Sequence, residues 1–147
     1  MIQRIQSLFL FLGGGLMLAV LGFPFATTES VIAGSAYFND AAFSARDNLA
    51  LLALYGLSGV LALAAIFLFR NRTLQMRLAI FSAIAGVLAI GLTILFFWQD
   101  SKALESLAPV QDGVSAYLPV LGLIGLFLAY RYIGKDEKLV RSMDRLR

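Results

Sequence analysis

Neither cysteine nor histidine occurs in this chain of 147 residues. Their absence removes disulfides, thiol chemistry, imidazole acid–base work and haem ligation by His or Cys. It also takes the main members from the usual zinc ligand sets, so neither a metal nor a cofactor is expected. Charge is scarce as well: 14% of residues are charged and 60% hydrophobic, whereas a soluble domain is about a quarter charged and half apolar. A soluble core of this size could not bury so much apolar surface. A lipid bilayer accepts it. The length implies one domain, residues 1–147.

What is present in abundance is long apolar runs. A spanning helix needs about 20 mostly apolar residues, and four stretches approach or meet that length: 8–25, 49–69, 78–98 and 114–133. None carries a charge before its last turn, where Arg131 can snorkel to the headgroups. The second and third are apolar all round, interrupted only by Ser58, Ser82 and Thr93, unlike helices of a soluble bundle, which keep a polar face. The first run follows Arg4 like a signal peptide. It is nevertheless longer than the usual apolar segment of one and is expected to be retained. The predicted fold is all-α, an integral membrane four-helix bundle.

Ten of the twelve Lys and Arg residues fall on one side of this arrangement. Arg4, Arg70, Arg72 and Arg77 share that side with Arg131, Lys135, Lys138, Arg141, Arg145 and Arg147; Arg46 and Lys102 lie on the other. Positive charge marks the cytoplasmic face, so both termini are expected in the cytoplasm. The clustering of cations at the ends of apolar runs points to lipid headgroups and away from nucleic acid.

The connections carry local signals. The second and third runs are joined by a short segment and should form an antiparallel hairpin. The first outer loop, with Val31, Ile32, Tyr37, Phe38 and Phe43, reads as a segment packed at the membrane surface. Ser44 to Asp47 has the form of a capping box opening the second helix, and Asp112 is a candidate N-cap for the fourth. Pro119 predicts a bend there. Trp98 and Tyr117 suit an outer aromatic belt, Tyr130 and Tyr132 an inner one. From Lys138 onward, Leu139, Met143 and Leu146 alternate with Lys138, Arg141 and Arg145, which predicts a short amphipathic cytoplasmic C-terminal helix.

Chemistry is sparse. No ionisable residue stands at mid-depth, where pumps and ion-coupled carriers usually need one. Ser58, Ser82 and Thr93 have no base at their level and are expected to bond to carbonyls. No catalytic residue is predicted, and the chain is expected not to be an enzyme. Glu29, Asp40, Asp47, Asp100, Glu105 and Asp112 read as solvated charges of the outer loops. Small residues at helical spacing, Gly15, Gly56, Gly59, Ser82, Gly86, Gly122 and Gly125, are predicted helix-packing positions. Gly13-Gly14-Gly15 follows no strand and is no phosphate loop; it leaves room for a ligand pocket.

The opening Met1-Ile2-Gln3-Arg4-Ile5-Gln6-Ser7, the segment Asn71-Arg72-Thr73-Leu74-Gln75-Met76-Arg77 and the closing residues 135–147 resemble those of a family of small four-span membrane proteins of Bacteroidetes catalogued as a domain of unknown function. The resemblance implies a bacterial inner-membrane protein. It brings no activity or catalytic residue, and it places all three motifs on the same face.

The functional expectation is therefore a non-enzymatic membrane protein whose basic cytoplasmic face binds anionic lipid or a protein partner through Arg72, Arg77, Lys138, Arg141 and Arg145. A carrier or pore for a small apolar or amphiphilic molecule, built as an oligomer, is the alternative. Expected partners are thus membrane lipids, a protein at the cytoplasmic face and further copies of the chain, with nucleic acid excluded.

Overall fold

A computed structural model describes residues 2–29, 31, 35–104 and 109–144, with side chains for 5–29, 31, 35–100, 109–140 and 142. Four helices, α1 (Ile2–Ala19), α2 (Leu49–Phe67), α3 (Arg72–Leu104) and α4 (Leu118–Asp144), make up most of it. All four are long and apolar enough to cross a membrane, with mean hydropathies of 1.9, 2.3, 2.5 and 1.6 over their apolar stretches. Their outward faces carry large exposed apolar side chains such as Phe11, Phe67, Phe81 and Phe127.

The helices alternate in direction. α1 lies against both α2 and α4, and α3 packs on α2. The approach around α1 is close because glycines leave out a side chain where backbones meet. A Cβ on Gly13 would stand 3.0 Å from Gly122 O and from Leu126 N, and one on Gly14 would stand 3.1 Å from Gly59 O. Between α2 and α3, Ser58 Oγ donates to Ser82 O (2.8 Å) and Ser82 Oγ donates back to Ser58 O (2.7 Å). This reciprocal pair satisfies two buried hydroxyls within apolar surroundings, where an unpaired one is costly. α3 and α4 are the most loosely joined neighbours.

The all-α expectation needs correction, because one end of the bundle carries a three-stranded antiparallel sheet. Strand β1 (Pro24–Thr28) lies in the middle, flanked by β2 (Ala42–Ser44) and β3 (Val110–Asp112). Ala26 is opposite Phe43 on one side and Asp112 on the other, with an irregularity between Pro24 and Ala26. Ala41 adopts φ 63° at the turn into β2. Phe25, Phe38 and Phe43 are buried beneath the strands, and Phe43 lies 5.3 Å from Phe25 and 5.2 Å from Tyr37 between ring centroids. Gly113 is indispensable here for lack of space: its N–H bonds Phe25 O at 2.8 Å, and a Cβ would fall 2.1 Å from Pro24 O.

Several local expectations change with the sheet. Ser44 donates to the Asp47 carboxylate through both its N–H and its hydroxyl, but the N-cap of α2 is Asn48, whose Oδ1 accepts from Ala50 N at 2.8 Å. Asp112 belongs to β3 and does not cap α4. Pro119 is the second residue of α4, where its missing N–H is one that no helix bond requires, so it sets the start of the helix and imposes no bend. The amphipathic C-terminal helix is not a separate element. α4 continues unbroken to Asp144, since nothing after Gly134 interrupts its backbone bonds, and residues 145–147 lie outside the described residues.

Candidate functional site: a basic cleft over an apolar groove

The α2–α3 hairpin and the last turns of α4 meet at the end of the bundle opposite the sheet. Asn71 Oδ1 accepts from Leu74 N at 3.1 Å and caps α3, which fixes Arg70 and Arg72 at the rim. Arg72 reaches across to α4: its Nη1 donates to Asp136 O at 3.1 Å, and its Nη2 stands 3.3 Å from Asp136 Oδ2. The latter contact is one of charge alone, because Oδ2 has no hydrogen-bond partner. From α1, Gln6 Nε2 donates to Tyr132 O at 3.2 Å, and Phe9 stacks on Tyr132 with centroids 5.4 Å apart. Lys135 Nζ sits 5.7 Å from the same ring.

Between α3 and α4 this end opens into a cleft of about 580 Å³. It is lined by Thr73 and Met76 on one side, and on the other by Tyr130, Arg131, Gly134, Lys135, Glu137 and Lys138. Arg131, Lys135 and Lys138 recur at i, i+4 and i+7, all exposed on one face of α4. Directly beneath, and sharing Tyr130, an apolar groove of about 300 Å³ continues along the same seam between Ala79, Ile80, Ala83, Ile84, Val87 and Leu88 on α3 and Leu126 and Phe127 on α4. A second hollow beside the hairpin is lined by Phe69, Arg70, Asn71, Arg72, Thr73 and Val140. The result is a cationic mouth over a wall that offers no polar partner, open sideways to whatever surrounds the bundle.

The structure distributes the sequence-predicted contact residues unevenly. Arg72 is held by Asp136, and Arg77 is exposed on α3 without lining the cleft. Lys138 lines it. The Arg141 side chain and Arg145 lie outside the described residues. Arg131 and Lys135 were missing from the predicted set, although their spacing with Lys138 was visible once α4 is taken as one helix.

Among the predicted packing positions, Gly59, Gly86, Gly122 and Gly125 have atoms of neighbouring helices within 3.4 Å of a would-be Cβ, and Ser82 is bonded to α2. Gly15 and Gly56 face open space, whereas Gly13 and Gly14, not predicted, make close approaches. At the triple glycine, α4 closes on Gly13 and α2 on Gly14. Thr93 Oγ1 donates to Ala89 O at 2.9 Å. Asp100, read as a solvated charge, is only 8% exposed. It accepts from Ser35 Oγ and from the N–H groups of Ala36 (3.3 Å) and Tyr37 (3.1 Å), clamping the segment before β2 to α3. Glu105 lies outside the described residues. Among the described residues, no three Asp or Glu side chains converge as metal ligands.

A bundle of four membrane-length helices, capped by a small sheet at one end and cationic at the other, defines the class of this protein. Residues 2–146 match the family described as Domain of unknown function (DUF4293), and the chain belongs to it. No curated protein and no solved structure matches the chain.

Proposed function

We propose that the protein is a non-enzymatic membrane protein that holds an anionic phospholipid at the α3–α4 seam, with the phosphate among Arg131, Lys135 and Lys138 and the acyl chains in the groove below. The observation that carries this reading is the continuity of the cationic cleft with the apolar groove through Tyr130. A phospholipid has the same order, charge above hydrocarbon, and it reaches a sideways opening by diffusion within the leaflet. Large exposed apolar side chains on every helix support an embedded bundle. The gathering of Arg70, Arg72, Arg77, Arg131, Lys135 and Lys138 at one end supports an orientation with that end and both termini in the cytoplasm, and a bacterial inner membrane agrees with the family resemblance.

Each Lys or Arg near an anionic surface contributes about 1 kcal/mol, so the triple variant R131Q/K135Q/K138Q should lose roughly a hundredfold in affinity for phosphatidylglycerol. Native mass spectrometry of protein extracted in polymer discs, or reconstituted with phosphatidylglycerol and phosphatidylethanolamine, measures this directly. Preferential retention of phosphatidylglycerol by the parent and its loss in the variant are expected. Equal retention by both proteins would overturn the reading. So would a stoichiometric protein partner released by the same three changes while lipid retention stays the same.

A further inference from the structure

The α3–α4 seam opens a second time beneath the sheet, into a cavity of about 270 Å³. Four aromatic side chains, Phe25, Phe43, Tyr55 and Phe97, form much of its wall. They belong to one connected cluster, with Phe25 5.8 Å from Tyr55 and Phe43 6.4 Å from Phe97 between centroids. The mouth lies between Ile94 on α3 and Val120 on α4, which are 63% and 52% exposed. Access is therefore from the side, at the sheet end of the helices.

The side-chain oxygens on the wall share one property. Thr93 commits its hydroxyl hydrogen to Ala89 O at 2.9 Å, so in the Tyr55–Thr93 contact of 3.0 Å it is Tyr55 that donates. Ser115 spends its hydrogen on Phe23 O (2.8 Å) and Val20 O (3.2 Å). Asp112, at the edge beside the strands, is a carboxylate that takes the Tyr117 hydroxyl on Oδ2 at 3.0 Å and has lone pairs to spare. Thr93 and Asp112 thus present lone pairs to the cavity, one of them with negative charge, while the hydroxyls of Tyr55 and Ser115 are fully buried behind its wall with their hydrogens committed. A ligand that accepts hydrogen bonds or carries an anion finds no complement among these side chains. A donor that is also a cation finds the Asp112 carboxylate, the Thr93 oxygen and aromatic surface, the surroundings that favour an ammonium.

We propose that this cavity is a binding site for a lipophilic amine, entered from the membrane between Ile94 and Val120, with the ammonium beside Asp112 and the apolar body against the aromatic wall. The site is separate from the phospholipid seat at the basic end and does not depend on it. The distinction between headgroups is physical: the lower cleft offers donors to a phosphate, and this cavity offers acceptors to an ammonium.

The test uses the full chain in lipid nanodiscs with two probes of one shape, 2-(naphthalen-1-yl)ethylamine and its uncharged counterpart 1-propylnaphthalene. Binding is measured by equilibrium dialysis against empty discs. Saturable uptake of one amine per chain is expected, at least about tenfold tighter than the hydrocarbon. V120W, which fills the mouth, should weaken the amine by a similar factor. D112N should weaken the amine about tenfold and leave the hydrocarbon unchanged. Because Asp112 is exposed, that variant tests the site even where the bulkier one does not fold. The proposal is overturned by equal binding of the two probes, by uptake no greater than that of empty discs, or by D112N binding the amine as the parent does.

Discussion

The two ends of this bundle are fastened by different means. At the sheet end, three strands of no more than five residues each are held by ladder bonds, a buried aromatic cluster and a helix-end carboxylate that takes three donors from the loop. At the basic end, the helices are tied by a few long side chains: Gln6 to a carbonyl of α4, Phe9 stacked on Tyr132, Arg72 to Asp136. The sheet end depends on contacts with no slack, since backbones meet there. The basic end depends on flexible side chains that can adjust, and its remaining cations are left turned outward. The difference separates a region that sets the shape of the protein from one that is free to bind.

The largest effect should follow from Gly113→Ala. A single methyl group would stand 2.1 Å from Pro24 O, with Pro24 C at 2.8 Å and Phe25 C at 2.9 Å. All three are backbone atoms, so no side chain can swing away, and β3 has to separate from β1. Overpacking a rigid site costs about 1–3 kcal/mol, occasionally more, and the lost bond from Gly113 N to Phe25 O adds to it. A loss of about 3 kcal/mol or more is expected in reversible unfolding, with hydrogen exchange accelerated in β1 and β3. A variant as stable as the parent would show that the sheet end is as adjustable as the basic end, and the comparison would fail.

Asp100→Ala comes next. It leaves the Ala36 N–H and the buried Ser35 hydroxyl without their acceptor and the Tyr37 N–H with Ser35 Oγ alone. Hydrogen bonds to charged groups contribute about 1.5–3 kcal/mol each, though not additively. A net loss of about 2–3 kcal/mol is expected, together with faster exchange confined to residues 35–44. Exchange rising equally through α2 and α3 would assign Asp100 to the bundle as a whole.

These sheet-end contacts were the least legible part of the chain. The helices show in the sequence because apolar runs are long and uninterrupted: α2 starts at Leu49 as expected and ends two residues short of Phe69. β2 and β3 have only three residues each, too short for an alternating pattern to register, and β3 pairs with β1 from beyond two intervening helices. Ala26-Thr27-Thr28 and Val110-Gln111-Asp112 look like loop, and their pairing is decided by where the helices deliver them. At the basic end the error was one of register. Beginning the amphipathic pattern at Lys138 separated it from Arg131 and Lys135, which share its face on a continuous α4. Among the glycines, composition alone could not rank Gly13 above Gly15; only the direction of each Cα relative to α2 and α4 does so.

The smallest effect belongs to the cleft itself, and its smallness is what gives it value. Arg131, Lys135 and Lys138 are all exposed, and exposed charges contribute about 0–1 kcal/mol to folding. Removing three neighbouring cations also relieves their mutual repulsion, which offsets lost contacts such as that of Lys135 with Tyr132. Unfolding of R131Q/K135Q/K138Q in neutral detergent should therefore match the parent within about 0.5 kcal/mol. In phosphatidylglycerol the parent should gain stability over the variant with the logarithm of the lipid present, because a ligand that binds the folded state stabilises it by mass action. A variant that unfolds more easily in both media would make these cations part of the framework. The two ends would then differ in strength and not in kind.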